Sequence, residues 1–194
     1  MGMTDHRAYH HGNLRAVLLA EAERTLREHG PERLSLRELA RLTGVSHGAP
    51  RRHFADRQAL LDTLAETGFA RLADEMCAAI EETGPEYRTR LRAAAATYVR
   101  FAVHDGALLD LMFATKTDGH HQALPEGAVR LFSAVGDLVT QGQQAQVLPP
   151  GDPERLRLLL IATLQGIAAL ITSGRAQAEQ TDDLLDDTVD LFTR

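Results

Sequence analysis

Tryptophan is missing from this 194-residue chain, and aromatic residues make up only 5% of it. Nowhere do β-branched residues alternate with polar ones over the length of a strand. Strands draw on those residue types, so a sheet is excluded and the 44% hydrophobic content has to be buried by helices. Alanine, leucine and arginine dominate, all good helix formers. The fold class is all-α. A single cysteine, Cys77, excludes an internal disulfide and suits a reducing cytoplasm. The N-terminus lacks the apolar stretch of a signal peptide. The longest apolar run, Leu158 to Leu164, is interrupted by Thr163, followed by Gln165, and too short to span a bilayer. The expected location is the cytoplasm, without membrane contact.

Chemistry is scarce as well. No Ser/His/Asp set and no phosphate loop points to catalysis, so no catalytic residue and no cofactor is expected. His10-His11 and His120-His121 are adjacent pairs whose members point apart on a helix, with no carboxylate or cysteine at ligand spacing, and no metal is expected.

A net charge of −6 argues at first against nucleic acid. The distribution answers that. Residues 1–70 hold ten arginines against nine acidic residues, net +1, and residues 71–194 are net −7. Within 33–57, six arginines face Glu38 and Asp56, net +4. A local basic patch binds phosphates even when the remainder is acidic.

That patch coincides with the most strongly signalled stretch, Leu34 to Leu61. Ser35 and Glu38 have capping-box spacing, predicting a bond from the Glu38 N–H to Ser35 and a return bond from the Ser35 N–H to Glu38. Leu34 and Leu39 occupy the staple positions around the cap. Leu36, Leu39 and Ala40 form an apolar stripe. Gly44 supplies a left-handed helix end, Val45 closes the corner, and Ser46 is placed to cap a next helix. Two short helices joined by a Gly-containing turn make a helix-turn-helix. The second is predicted over about 47–53, weakened by Gly48 and by Pro50, which disfavours helical geometry at Ala49; it is short and partly 3₁₀ in character.

Residues 34 to 61 resemble the DNA-binding segment of the TetR family of transcriptional regulators. The residues that carry the likeness are Leu36 and Ala40, Gly44-Val45-Ser46, His53-Phe54 and Leu60-Leu61. Where the family pattern usually has a Tyr two residues before that His, this chain has Arg51, which implies a phosphate contact by a guanidinium instead of a phenol. The DNA-binding set is Arg37, Arg41, Ser46, His47, Arg51, Arg52, His53 and Arg57. Arg52 is the expected base reader, since Arg matches guanine O6 and N7. His53 also fits a structural wedge beside Phe54. A plain solvated basic face remains the competing reading of the set.

The rest of the chain reads as helices. A polar N-terminal arm precedes a helix over about 13–28 with Leu14, Val17, Leu18, Ala22 and Leu26 on one face, ended by Gly30-Pro31. The resemblance implies that this helix packs behind the helix-turn-helix and that the arm reaches DNA. A helix capped by Asp56 keeps apolar phase to about Glu82, some 26 residues or roughly 40 Å, long enough to carry movement between domains. The domain boundary is placed along it, near Gly68: 1–68 as the DNA-binding domain, 69–194 as a helical bundle for ligand binding and dimerisation. Further helices are predicted over 86–104, 107–115, 125–146, 155–173 and 182–192, about nine in all. The 155–173 helix is apolar almost all round, which implies burial on more than one side.

Candidate ligand-lining residues in the bundle are Tyr98, Phe101, His104, Met112, Phe113, Phe132, Thr163 and Gln165, chosen because interhelical pockets are mostly apolar with a few polar anchors. Core packing explains the same residues. The resemblance implies a homodimer in which the last two helices form a four-helix bundle with their twin, and Gly166, Ala168 and Ala169 permit close approach; a monomer core is the alternative. Together these expectations describe a ligand-released repressor. It would bind double-stranded DNA at a near-palindromic operator, with two recognition helices roughly 34–36 Å apart, and respond to an unknown small-molecule effector. A ligand-independent architectural DNA-binding protein and a helical enzyme are the competing classes.

Overall fold

The computed structural model describes residues 14–114 and 124–193. The N-terminal arm, His10-His11 and the loop with His120-His121 lie outside them. Eight α-helices and three single 3₁₀ turns make up the described fold: α1 Leu14–His29, α2 Leu36–Leu42, α3 Arg57–Glu82, α4 Tyr87–His104, α5 Gly106–Phe113, α6 Glu126–Gln144, α7 Pro153–Thr172 and α8 Thr181–Phe192. The expected ninth helix, over 47–53, is absent as an α-helix. A turn closed by Ala49 N–H to Ser46 O at 2.9 Å leads into the 3₁₀ turn Pro50–Arg52.

Local chemistry accounts for the helix ends. Ser35 Oγ accepts from the Glu38 N–H at 3.1 Å, and Asp56 accepts from Ala59 at 2.8 Å. Asp152 accepts from Glu154 ahead of α7, with Pro153 at the first helical position. The return half of the capping box does not form, because the Glu38 carboxylate turns to Arg41 instead. After α2, Gly44 sits at φ +69°. Val45 N–H then reaches Ala40 O at 3.0 Å and Gly44 N–H reaches Arg41 O at 3.3 Å, a Schellman end that satisfies the last carbonyls.

α3 is the axis of the molecule, and α1, α4, α5 and α6 all pack on it. Its first half completes a small core with Leu18, Ala22 and Leu26 of α1, Leu34, Leu39 and Phe54, through Leu60, Leu61 and Leu64. Each such leucine contributes about 1.5–3 kcal/mol by leaving water. Its second half, through Phe69, Leu72, Ala73 and Met76, belongs to the bundle core with Leu91, Val99, Leu109, Leu131 and Val139. Two glycines permit close approach along it. A Cβ on Gly68 would lie 2.7 Å from Met112 Sδ, and one on Gly127 would lie 2.6 Å from the Ala70 backbone nitrogen.

α7 departs from expectation. Leu160, Leu164, Ile167 and Ala168 are buried against the bundle. Leu158, Leu159 and Leu170 are instead 56%, 53% and 40% exposed, and Leu191 of α8 is 65% exposed. One face of α7 is therefore core and another is open. By length and composition alone α7 is apolar enough to cross a membrane, which the shorter run Leu158–Leu164 had not suggested; core helices of soluble bundles have the same character.

Candidate nucleic-acid interface

The segment from Gly44 to Arg57 is held from beneath. Pro50 and Phe54 are buried, and the Phe54 N–H bonds Pro50 O at 3.0 Å, so the 3₁₀ turn is pinned to the core on one side. Pro50 does not push Ala49 out of helical geometry: Ala49 sits at φ −63°, ψ −45°. Ser46 takes part through its carbonyl, and its predicted hydroxyl cap is not formed, because the turn begins at Ala49. The outer side carries Ser46, His47, Arg51, Arg52 and His53, all exposed. His53 is thus not wedged against Phe54. Arg37 projects from α2, also exposed.

The charges are not equivalent. Arg41 is paired with Glu38 at 2.6 Å, and its guanidinium holds that carboxyl below the ordinary range. Arg57 donates through Nε to Leu34 O at 2.9 Å and through Nη2 to Pro31 O at 2.6 Å, strapping the start of α3 to the turn before α2. Arg37, Arg51 and Arg52 form no ion pair among the described residues. Elsewhere Arg24 and Arg27 of α1 and Arg71, Arg88, Arg92, Arg100, Arg130 and Arg157 of the body each hold a carboxylate, whereas Arg90, Arg155 and Arg175 form no ion pair among the described residues. Uncompensated positive charge is present on the face formed by α2 and the 3₁₀ turn, as binding to phosphates requires. Arg15 of α1, overlooked in the sequence, joins this surface: it is exposed, and its guanidinium carbon lies 5.6 Å from the centre of the Phe54 ring. Thirty-nine residues separate Arg15 from Phe54, so no local pattern signals their contact.

Residues 18–64 match the family profile described as bacterial regulatory proteins of the tetR family, and residues 91–192 match the tetracyclin repressor-like C-terminal domain. The chain belongs to the TetR family. As a TetR-family protein it is a DNA-binding transcriptional regulator. It is 30% identical over 179 residues to the HTH-type transcriptional repressor AcnR of Corynebacterium glutamicum, covering 90% of this chain and 89% of that protein. A solved protein of unknown function from Rhodococcus sp. RHA1 is 41% identical, with a TM-score of 0.84 over 97% of this chain and 100% of that one. The ketosteroid transcriptional regulator KstR2 of Mycobacterium tuberculosis shares the fold, with a TM-score of 0.68 at 17% identity over 93% of this chain and 95% of that one.

In this TetR-family body the eight expected ligand residues meet only in part, Phe113 with Phe132 and Gln165 beside Tyr98. Tyr98, Phe101 and Met112 are buried, and Phe132 and Thr163 are half-buried. His104, Phe113 and Gln165 are exposed, which corrects their assignment to an interior lining. His104 is the last residue of α4, and Gln165 is on the open side of α7. Thr163 donates to Leu159 O of its own helix. Phe113 and Phe132 meet in a cluster with Phe69, with ring centres 5.3 to 6.2 Å apart, and Arg157 lies over Phe132 at 5.4 Å. Tyr98 is the exception to satisfied packing. Its hydroxyl is enclosed without a hydrogen-bond partner among the described residues. Burial raises its pKa, and the Gln165 side chain offsets part of that shift while standing outside hydrogen-bonding geometry. Two open clefts occur elsewhere, one between α4 and α8 around Arg88 and Arg92, one beneath the α1–α2 corner around Arg24 and Ser35; neither is lined by any of the eight.

Proposed function

We propose that this regulator is a cytoplasmic repressor that binds a near-palindromic operator as a homodimer and is released by a small apolar or amphipathic effector. The observation that carries the reading is the pairing of two open surfaces: unneutralised Arg37, Arg51 and Arg52 on one, and Leu158, Leu159, Leu170 and Leu191 on the other. The first suits phosphates and base edges. The second is an apolar strip on α7 and α8 that a twin copy would cover, with Gly166 open for close approach. The head comprises residues 1–68 and the body 69–194, divided along α3.

Ser46, His47, Arg51, Arg52 and His53 enter the major groove, with Arg52 reading a base and Arg37 and Arg51 on phosphates. Arg41, paired with Glu38, and Arg57, strapped to two carbonyls with its charge unneutralised, border the site. The enclosed Tyr98 hydroxyl is the polar anchor for the effector, since a buried hydroxyl without a partner costs free energy that a ligand can recover. The kinship to a named repressor supports repression over activation. An effector shifts DNA affinity only if it binds the two arrangements of α3 unequally. A mobility-shift titration with genomic fragments tests the reading: retention of a few fragments supports it, uniform binding indicates an architectural protein, and no binding at low salt overturns it.

A further inference from the structure

Four charged side chains close a ring where the head meets the body. Arg71, midway along α3, donates through Nη1 to Glu23 of α1 and through Nη2 to Asp105 Oδ2 at 2.8 Å. The other Asp105 oxygen accepts from Arg27 of α1 through Nη2 at 2.6 Å and Nε at 3.0 Å. Arg27 and Glu23 lie 3.6 Å apart, completing the circuit of alternating sign. Beneath it the Arg71 guanidinium lies 4.9 Å from the centre of the Phe101 ring. Glu23 and Arg27 belong to the matched N-terminal segment, Asp105 to the matched C-terminal one, and Arg71 to neither.

Asp105 is the telling residue. It stands at the N-cap of α5, where an aspartate ordinarily accepts from the first free N–H groups. Here it makes no such bond. Both oxygens go to arginines on other helices, and its side chain is only 13% exposed. Partial burial strengthens these charge-assisted bonds beyond what exposed pairs contribute. A local cap has been exchanged for a contact between α1, α3 and the α4–α5 corner.

We propose that the Glu23–Arg27–Arg71–Asp105 ring is a positioning joint: it fixes the tilt of the DNA-reading head on the helical body, and through that tilt the affinity for DNA. Asp105 and Arg71 touch no DNA and act through the orientation of α1. The link to affinity rests on the DNA-binding assignment above; the joint itself does not.

Spin labels at Glu32→Cys and Gln144→Cys, in full-length protein carrying Cys77→Ser and diluted with unlabelled chain, report the head-to-body distance by dipolar spectroscopy. Asp105→Asn and Arg71→Gln broaden or shift that distribution, and Asp105→Glu, which keeps the charge, restores most of it. The dissociation constant for a genomic fragment retained by the unaltered protein rises roughly 2- to 30-fold in Asp105→Asn. An unchanged distribution in Asp105→Asn overturns the joint. A changed distribution with unchanged affinity overturns its role in binding. If the unaltered protein retains no DNA, the distance distribution alone decides the joint and the functional assignment fails separately. Should Asp105→Asn not fold, Arg27→Gln, half exposed on α1, is read in the same way.

Discussion

Arg57 shows how far a residue's chemistry depends on what is already near it. In the sequence it is one basic residue among six; in the structure its guanidinium is committed to the carbonyls of Pro31 and Leu34. Arg57→Ala should therefore destabilise the protein by roughly 1–2 kcal/mol, discounted for its exposure. Arg51→Ala should leave stability unchanged and make the log–log salt slope shallower by about 1. Arg52→Ala should relax base preference by about 1–3 kcal/mol; equal weakening on all sequences would make it a phosphate contact. Denaturant titration and mobility shifts separate the three. At the other end of the molecule, the Tyr87 hydroxyl donates to Leu138 O, and burial pushes its pKa up to about 12. A phenol raised in the folded state stabilises fully below its unfolded value near 10 and loses that contribution as pH rises through the folded value. Stability should fall between about pH 10 and 12, and Tyr87→Phe should flatten that fall. The drop would not vanish, because burial also raises Tyr98.

The helices themselves were largely legible, and for local reasons. Ser35, Gly44 and Asp56 act within four residues of themselves, so their spacing alone predicts where α2 and α3 begin and end. The reading segment was not fully legible, since Pro50 both starts a 3₁₀ turn and is buried, and burial is a tertiary fact. α7 misled for a related reason. A helix apolar all round suggests enclosure, yet Leu158, Leu159 and Leu170 are open in the single chain. The candidate site divided the same way: exposed basic residues followed from charge counting, whereas Gln165 and His104 could be placed only once the direction of each helix face was known. The Arg71–Asp105 pair spans 34 residues, and no periodicity signals it. α6 meets α3 at backbone distance through Gly127. Gly127→Ala would set a methyl 2.6 Å from the Ala70 nitrogen, and backbone cannot yield as a side-chain tip does. Thermal unfolding should show a loss of about 1–3 kcal/mol, whereas an unchanged midpoint would mean that α6 moves freely on α3.

For the whole molecule, the acidic body and the basic head divide the labour of solubility and binding. Residues 71–194 are net −7, while Arg37, Arg51 and Arg52 of the head form no ion pair among the described residues. The proposed dimerisation through α7 and α8 is open to a clean test, because its surface is separate from the core. A Cβ at Gly166 meets nothing within 4 Å in the single chain. Gly166→Leu should leave the fold intact, even gaining roughly 0.5–1 kcal/mol in helix propensity, yet block close approach of a twin; Leu159→Glu should act likewise. Sedimentation should show both as monomers, while a dimer that persists in both places the interface elsewhere. Most directly at stake is that the unpaired arginines of the head grip the DNA backbone. The decisive measurement is the equilibrium affinity for a retained genomic fragment across a range of salt. A homodimer placing Arg37, Arg51 and Arg52 of both copies on the duplex should give a log–log slope of roughly −4 to −5, and a flat response would contradict it.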